Sequence, residues 1–220
     1  HIDKAFFPEG DRSFLINPDA GDQAFYIEDL QCEYGYGENG DFRTPAFMAR
    51  DGDNYPITGP FDVSTRIVSG KPVLEGLPSS RSKEGEELQT LEVVMDERKS
   101  GLTVTLRYTP FPEYDAVARS VVFTNNKKAP ITIDRAMSMS LDIKNRDYRL
   151  LYLHGAWARE RYVQRFAVQP GLFTIGSVRG TSSHQFNPFA ALLAPDTDEH
   201  GGEAFGVSLV YSGNFAAEVE

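Results

Sequence analysis

Apolar and polar residues alternate along much of this 220-residue chain. In residues 102–108 the apolar side chains occupy every second position, with threonine or arginine between them. Successive side chains of a β-strand point to opposite faces of a sheet, so this segment has a core face and a polar face. A related pattern predicts strands at residues 88–95, 117–124, 131–143, 149–154, 189–194 and 204–211.

Turn signals separate these predicted strands at residues 96–101, 125–130 and 144–147. Connections this short are typical of antiparallel strands joined by local hairpins. No window carries an apolar stripe at helical spacing over three turns, and the one helical piece predicted is a turn or two near residues 24–30. We therefore predict an all-β fold, a single antiparallel domain over residues 1–220, with residues 79–87 as an exposed polar loop.

The charge and composition of the chain limit which partners and which cellular location are expected. The formal net charge of -10 and the pI near 4.9 disfavour nucleic acid as a partner, because a phosphate backbone would be repelled. No run approaches the roughly 18 apolar residues that a membrane helix requires, so no membrane partner is expected. Cys32 is the single cysteine, so no intrachain disulfide can form. A cytoplasmic location is the expectation.

The segment from residue 155 to residue 220 concentrates residue types that bind sugars. Trp157, the one tryptophan, is followed by Arg159, Glu160 and Arg161. An indole ring suits the C–H face of a pyranose, and charged groups can bond to its hydroxyls. The alternative reading is a core tryptophan that supplies buried area. If residues 156–161 are extended, Trp157, Arg159 and Arg161 share one face, and the arginines then brace a loop or an interface.

The sequence also carries a family resemblance. The blocks HIDKAFFPEG, GDFRTPAF, SGKPVLEGLPSS, LTVTLRYTPF, ARSVVFTNN, RAMSMSLDI, GAWARER, RGTSSHQFNPF and LVYSGNF occur in one order. Together they resemble the N-terminal β-supersandwich domain of glycoside hydrolase family 36 α-galactosidases. The resemblance implies a parent enzyme in which this domain precedes a (β/α)8 barrel whose motifs are not found here. Both ends of the chain are therefore expected to be truncated.

What the family implies for function is specific. The whole enzyme would hydrolyse terminal α-linked galactose from raffinose, stachyose or melibiose by double displacement, without a cofactor. Both catalytic carboxylates would lie in the barrel, so no catalytic residue is predicted in this chain. The resemblance assigns Trp157 to the wall of the galactose pocket. It also assigns Asp3 to a sugar contact that reaches a neighbouring subunit's pocket in a homotetramer.

Three further residues are candidates for supporting the site or a subunit interface. Asp41 and Arg43 are spaced so that both point the same way in an extended segment, and a structural ion pair is the favoured reading. His184 lies in SSHQFNPF, a segment predicted to form one turn ended by Pro188 that fixes a loop or contacts a sugar. No metal site is predicted, because the calcium-like loop at residues 196–207 has valine where a bidentate glutamate is needed.

Other functions stay open at the level of the sequence. The chain could be a free-standing carbohydrate-binding module, which would bind galactosides alone. It could also be a purely structural assembly domain, which would bind no sugar. Relatives that transfer galactosyl groups or prefer N-acetylgalactosamine are a further enzyme alternative, because specificity would lie mostly in the barrel.

Overall fold

The computed structural model describes residues 31–37, 43–144, 146–182 and 184–220. Within these ranges the chain forms twelve strands and one 3₁₀ helix, Pro112–Tyr114, with no α-helix. Every pairing between these strands is antiparallel, which confirms the predicted all-β class. The chain divides into two compact units. The first unit holds residues up to Lys71 together with Ser82–Ile143, and the second unit holds Pro72–Arg81 and Lys144–Glu220.

The first unit contains a four-stranded sheet and a two-stranded one. Its strands are β1 Phe47–Arg50, β2 Asp62–Ser69, β3 Gln89–Glu97, β4 Leu102–Phe111, β5 Ala116–Asn125 and β6 Thr132–Ala136. The larger sheet has the order β2-β3-β4-β5, and β1 pairs with β6. Leu102, Val104 and Leu106 all point from β4 into the core, as their period-two spacing predicts. Phe47 is fully buried among Tyr34, Tyr36, Phe61 and Phe123.

The second unit also contains one four-stranded sheet and one two-stranded sheet. Its strands are β7 Arg149–Ala156, β8 Arg159–Ala167, β9 Phe173–Ser177, β10 Phe186–Leu193, β11 Ala204–Ser208 and β12 Phe215–Val219. The four-stranded sheet has the order β11-β10-β7-β8, and β12 pairs with β9. Leu150, Ile175 and Phe215 are buried. Tyr152 lies among the rings of His154, Phe166, Phe173 and Phe186.

One predicted strand is too long. The expected strand at residues 131–143 ends at Ala136, because the chain beyond it bonds to other segments instead of a neighbouring strand. The Met137 N–H donates to the carbonyl of Ala46, and Arg119 donates to the carbonyl of Ser140. These contacts satisfy the backbone outside a ladder. Residues 79–87 do form a mostly exposed loop, as predicted, and the expected helical turn at residues 24–30 lies outside the described residues.

Candidate functional site

Trp157 lies at the tip of the hairpin formed by β7 and β8. The two strands pair from Arg149 and Ala167 up to Ala156 and Arg159, so Trp157 and Ala158 form a two-residue connection. The Trp157 side chain is 81% exposed. The alternative reading of this residue as a core tryptophan is therefore wrong. An exposed indole at a hairpin tip is a flat apolar surface that a sugar ring can meet.

The tip has a well-defined local conformation. Ala158 has a φ of 61°, in the left-handed region that residues other than glycine rarely adopt. The Glu160 carboxylate accepts a hydrogen bond from the N–H of this same alanine at 2.9 Å. Below the tip, a Cβ placed on Gly155 would overlap the carbonyl oxygen of Arg159 and lie 2.8 Å from the Cα of Glu160. Glycine at position 155 thus permits the close approach of the two strands.

The predicted shared face of Trp157, Arg159 and Arg161 is wrong. That arrangement requires an extended segment, but the chain reverses direction at Trp157 and Ala158. Arg159 and Arg161 lie on β8, and the φ of 65° at Arg161 interrupts the alternation again. Both arginines are exposed beside the tip, at the start of an edge strand of the sheet.

The segment that contains His184 is not a single turn ended by Pro188. Strand β10 begins at Phe186 and continues through Pro188, with an irregular register between Phe186 and Ala190. Proline has no N–H to donate to a ladder, and it is tolerated at such an irregularity because the ladder is interrupted there. Half-buried His184 lies just before the strand. The carbonyl of Gln185 accepts a hydrogen bond from the Gly155 N–H at 3.0 Å, which fixes the base of the tryptophan hairpin.

Three connections meet at this end of the second unit. They are the hairpin tip at residues 157–158, the β9–β10 connection, described at residues 178–182 and 184–185, and the β11–β12 loop at 209–214. The Ser182 N–H donates to the carbonyl of Ser212 at 2.7 Å, and the Gly180 N–H donates to Oδ1 of Asn214 at 2.6 Å. Tyr211 is 44% exposed on the third loop.

Sequence reasoning missed some residues at this end. Neither Tyr211 nor Asn214 was singled out, although both lie in the LVYSGNF block that contributes to the resemblance. Glu160 was noted only as a charge beside the tryptophan. Its contact with Ala158 depends on a turn that no glycine, asparagine or proline marks in the sequence.

Arg43 has a structural partner in the first unit. Its guanidinium donates to Oδ2 of Asp142 at 2.8 Å, and the same oxygen accepts a hydrogen bond from the Cys32 N–H at 2.9 Å. Asp142 therefore ties two distant segments to the chain that follows β6. The predicted ion-pair partner, Asp41, lies outside the described residues, and so does Asp3.

Among the described residues, the carboxyl groups whose pKa departs from its usual value all have a lowered pKa. Burial alone would raise the pKa of Glu92, but hydrogen bonds from Arg66 and Arg107 outweigh it and lower the pKa. Backbone and side-chain donors from Lys99 and Ser100 similarly lower the pKa of Glu97 against the effect of its burial. A general acid in glycoside hydrolysis needs a raised pKa, so neither group is suited to that role.

The described ranges contain neither a candidate metal cluster nor a helix that could span a membrane. No group of three or more histidine, cysteine, aspartate or glutamate side chains there could hold a metal ion. In the calcium-like loop, Oδ1 of Asp198 instead accepts the N–H groups of His200 and Gly201 at 2.7 and 3.0 Å. The same ranges contain no helix of the length and apolarity needed to cross a membrane.

Comparison with known proteins gives a consistent result. The family model described as "Glycosyl hydrolase family 36 N-terminal domain" matches residues 9–220. Alpha-galactosidase AgaA of Geobacillus stearothermophilus is 42% identical over 214 residues, which are 97% of this chain and 29% of the relative. Alpha-galactosidase Mel36A of Lactobacillus acidophilus is 40% identical over 215 residues, with the same two shares.

Solved structures agree with the sequence matches. The crystal structure of an A355E D548N variant of AgaA in complex with raffinose superposes with a TM-score of 0.85 at 41% identity. The match covers 98% of this chain and 30% of that one. The present chain thus spans somewhat less than a third of the length of these relatives.

Proposed function

This chain belongs to the N-terminal domain family of glycosyl hydrolase family 36, and from that premise we propose that it is the non-catalytic N-terminal domain of an α-galactosidase. The parent enzyme hydrolyses terminal α-linked galactose from raffinose-type oligosaccharides by a retaining mechanism, with both catalytic carboxylates in a (β/α)8 barrel. Support comes from the relatives, which are alpha-galactosidases, and from the raffinose and stachyose complexes among the related structures.

The domain contributes to the substrate pocket through Trp157. One observation carries this proposal: the single tryptophan is 81% exposed on a hairpin tip whose backbone is fixed by hydrogen bonds. An exposed indole offers a flat apolar face on which a sugar ring can stack, and the pyranose ring of a galactoside is the ligand that the family supplies. The adjacent Arg159 and Arg161 are positioned to bond to sugar hydroxyls or to brace the surrounding surface.

Kinetics of the full-length enzyme test this proposal. Trp157→Ala should raise KM for an aryl α-galactoside about fivefold or more, since stacking on an aromatic ring contributes on the order of 1 kcal/mol. Tyr55→Ala is the matched control, because Tyr55 is also an exposed aromatic side chain (65%) but lies in the first unit. Its KM should stay unchanged. A Trp157→Ala enzyme with the parent KM would contradict the assignment of the tryptophan to the pocket.

Asp3 is proposed to act across a subunit boundary of a homotetramer. A charged side chain that bonds to a sugar hydroxyl contributes roughly 1.5 to 3 kcal/mol, so Asp3→Ala should lower kcat/KM about tenfold to a hundredfold. Subunits of this variant can be exchanged with subunits that lack the barrel nucleophile. Recovered activity in the mixed tetramers supports a contribution in trans, and mixed tetramers as inactive as both parents refute it.

A further inference from the structure

We propose that Glu160 is a positioning residue that sets how Trp157 meets the sugar. Its carboxylate holds the turn from which the indole projects, without itself touching substrate. This inference rests on the proposed function of Trp157 as part of the galactose pocket. The family resemblance assigns Glu160 no role of its own, and the sequence pattern offers only a direct bond from its charged group to a sugar hydroxyl.

The first step of the argument is the strain at Ala158. A non-glycine residue at a φ of 61° has its Cβ close to the following carbonyl oxygen, a strained conformation for an L-residue. Such a conformation persists only if the surroundings compensate for it. The residue adjacent to the tryptophan is therefore the point at which the tip would relax if it were left unsupported.

The second step is the compensating contact. Oε1 of Glu160 accepts a hydrogen bond from the N–H of Ala158 at 2.9 Å, so the carboxylate bonds to the strained residue itself. A charged acceptor makes a stronger bond to an N–H than a neutral one. Glu160 lies only two residues further along the chain, as the second residue of β8. The contact therefore forms within the hairpin and needs no partner from elsewhere.

The third step is the rigid base under the turn. The close approach at Gly155 and the bond from its N–H to the carbonyl of Gln185 fix the hairpin up to Ala156. Motion of the indole relative to the domain is then confined to residues 157 and 158 and the side chain itself. Within that short stretch, the Glu160 carboxylate is the restraint that the described contacts show. A pocket wall must be held in place for stacking to contribute fully, because any ordering left until binding weakens the affinity.

The alternative roles of Glu160 make different predictions. If the carboxylate bonded to a sugar hydroxyl directly, Glu160→Ala would weaken substrate binding but would leave the motion of the indole in the free protein unchanged. If it acts by accepting the Ala158 N–H, glutamine retains an acceptor oxygen and should preserve most of the function. A merely solvated glutamate would be replaceable by alanine without effect.

Fluorescence of the 220-residue chain provides a test that does not depend on catalysis. Trp157 is the only tryptophan, so the anisotropy of its emission reports on the tip alone. Glu160→Ala should lower the anisotropy, whereas Glu160→Gln should leave it at the parent value. Glu199→Ala is the control, because Glu199 is an exposed glutamate in a loop of the same unit that lies away from the tip. Circular dichroism should show the same melting temperature for all four chains. Unchanged anisotropy in Glu160→Ala, or equal loss in Glu160→Gln, would overturn the proposal.

Kinetics of the full-length enzyme connect this restraint to substrate. Glu160→Ala should raise KM about threefold to fivefold, the range expected from one exposed hydrogen bond, with Glu160→Gln near the parent value. Glycine adopts the left-handed conformation without strain, so the effect of Glu160→Ala on KM should shrink in an Ala158→Gly background. The same effect in both backgrounds would show that Glu160 does not act through the turn.

The two proposals fail in different ways. If Trp157→Ala leaves KM unchanged while Glu160→Ala still lowers the anisotropy, the pocket assignment is wrong and the positioning of the ring stands. If Trp157→Ala raises KM but Glu160→Ala alters neither anisotropy nor KM, the pocket assignment stands and the positioning role is wrong.

Discussion

The two units of this domain use the same residue types in opposite ways. In the first unit Phe47 is 0% exposed and Glu92 is 3% exposed, each surrounded by partners from several strands. In the second unit Trp157 is 81% exposed, and Glu160 bonds only locally to the turn beside it. Of these two aromatic rings and two carboxylates, the pair in the first unit is part of its interior, and the pair in the second unit lies at the surface. Residue type alone does not distinguish the two uses, whereas burial and contacts do.

Unfolding experiments should show the largest difference between the units. Phe47→Ala removes a fully buried ring from contact with four aromatic neighbours and should cost about 3–5 kcal/mol of unfolding free energy. Trp157→Ala should change it by less than about 0.5 kcal/mol, as is usual for exposed positions. Urea denaturation followed by circular dichroism measures both variants. The contrast between the units disappears if the two substitutions cost the same.

The strands outside the predicted ranges show which signals an alternating pattern lacks. The predictions for β3, β4 and β5 agree within a few residues, because these are long strands with one face on a core. Outside the predicted ranges, β1, β9 and β12 are only four or five residues long, and β2 and β8 are edge strands with almost every residue exposed. Apolar alternation reflects the burial of one face, so an edge strand exposed on both faces carries no such signal.

The candidate site shows a similar limit. The sequence predicts Trp157 as a plate for sugar, which stays a prediction, but the extended segment considered around it is interrupted by a turn. The turn places alanine in the left-handed conformation, where glycine or asparagine would have been recognisable. Arg43 was expected to pair within its own block. It binds Asp142, 99 residues away in sequence, and local spacing cannot reveal a contact of that kind. The pairing with Asp41 stays a prediction, because Asp41 lies outside the described residues.

Acid should weaken the buried ion pair of the first unit. The folded-state pKa of Glu92 is lowered, whereas the unfolded value is about 4.3, so its ion pairs stabilise the fold above about pH 4.3. That contribution is lost as the pH falls through the lower folded-state pKa. Glu92→Gln should therefore cost about 2 kcal/mol at pH 7, and the difference from the parent chain should shrink toward pH 3.

A surface pair supplies the control for this experiment. Glu113 binds Lys83 at 3.2 Å, and both side chains are more than 60% exposed. Glu113→Gln should change the unfolding free energy by less than about 0.5 kcal/mol at either pH. If Glu92→Gln behaved like Glu113→Gln across the pH range, the ion pairs of buried Glu92 with Arg66 and Arg107 would not stabilise the first unit.

The smallest effect is expected at the tip itself. Acrylamide quenches an indole by collision, so the quenching constant follows the exposure of the ring. Because Trp157 is already 81% exposed in the folded chain, unfolding in urea should change its quenching only slightly. A double variant with Phe47→Trp and Trp157→Phe supplies the contrast. Its buried ring should be quenched far more weakly in the folded state than in the unfolded one. Strong protection of Trp157 in the folded 220-residue chain would mean that the ring is covered by the domain itself, and it would then have no surface to offer a sugar.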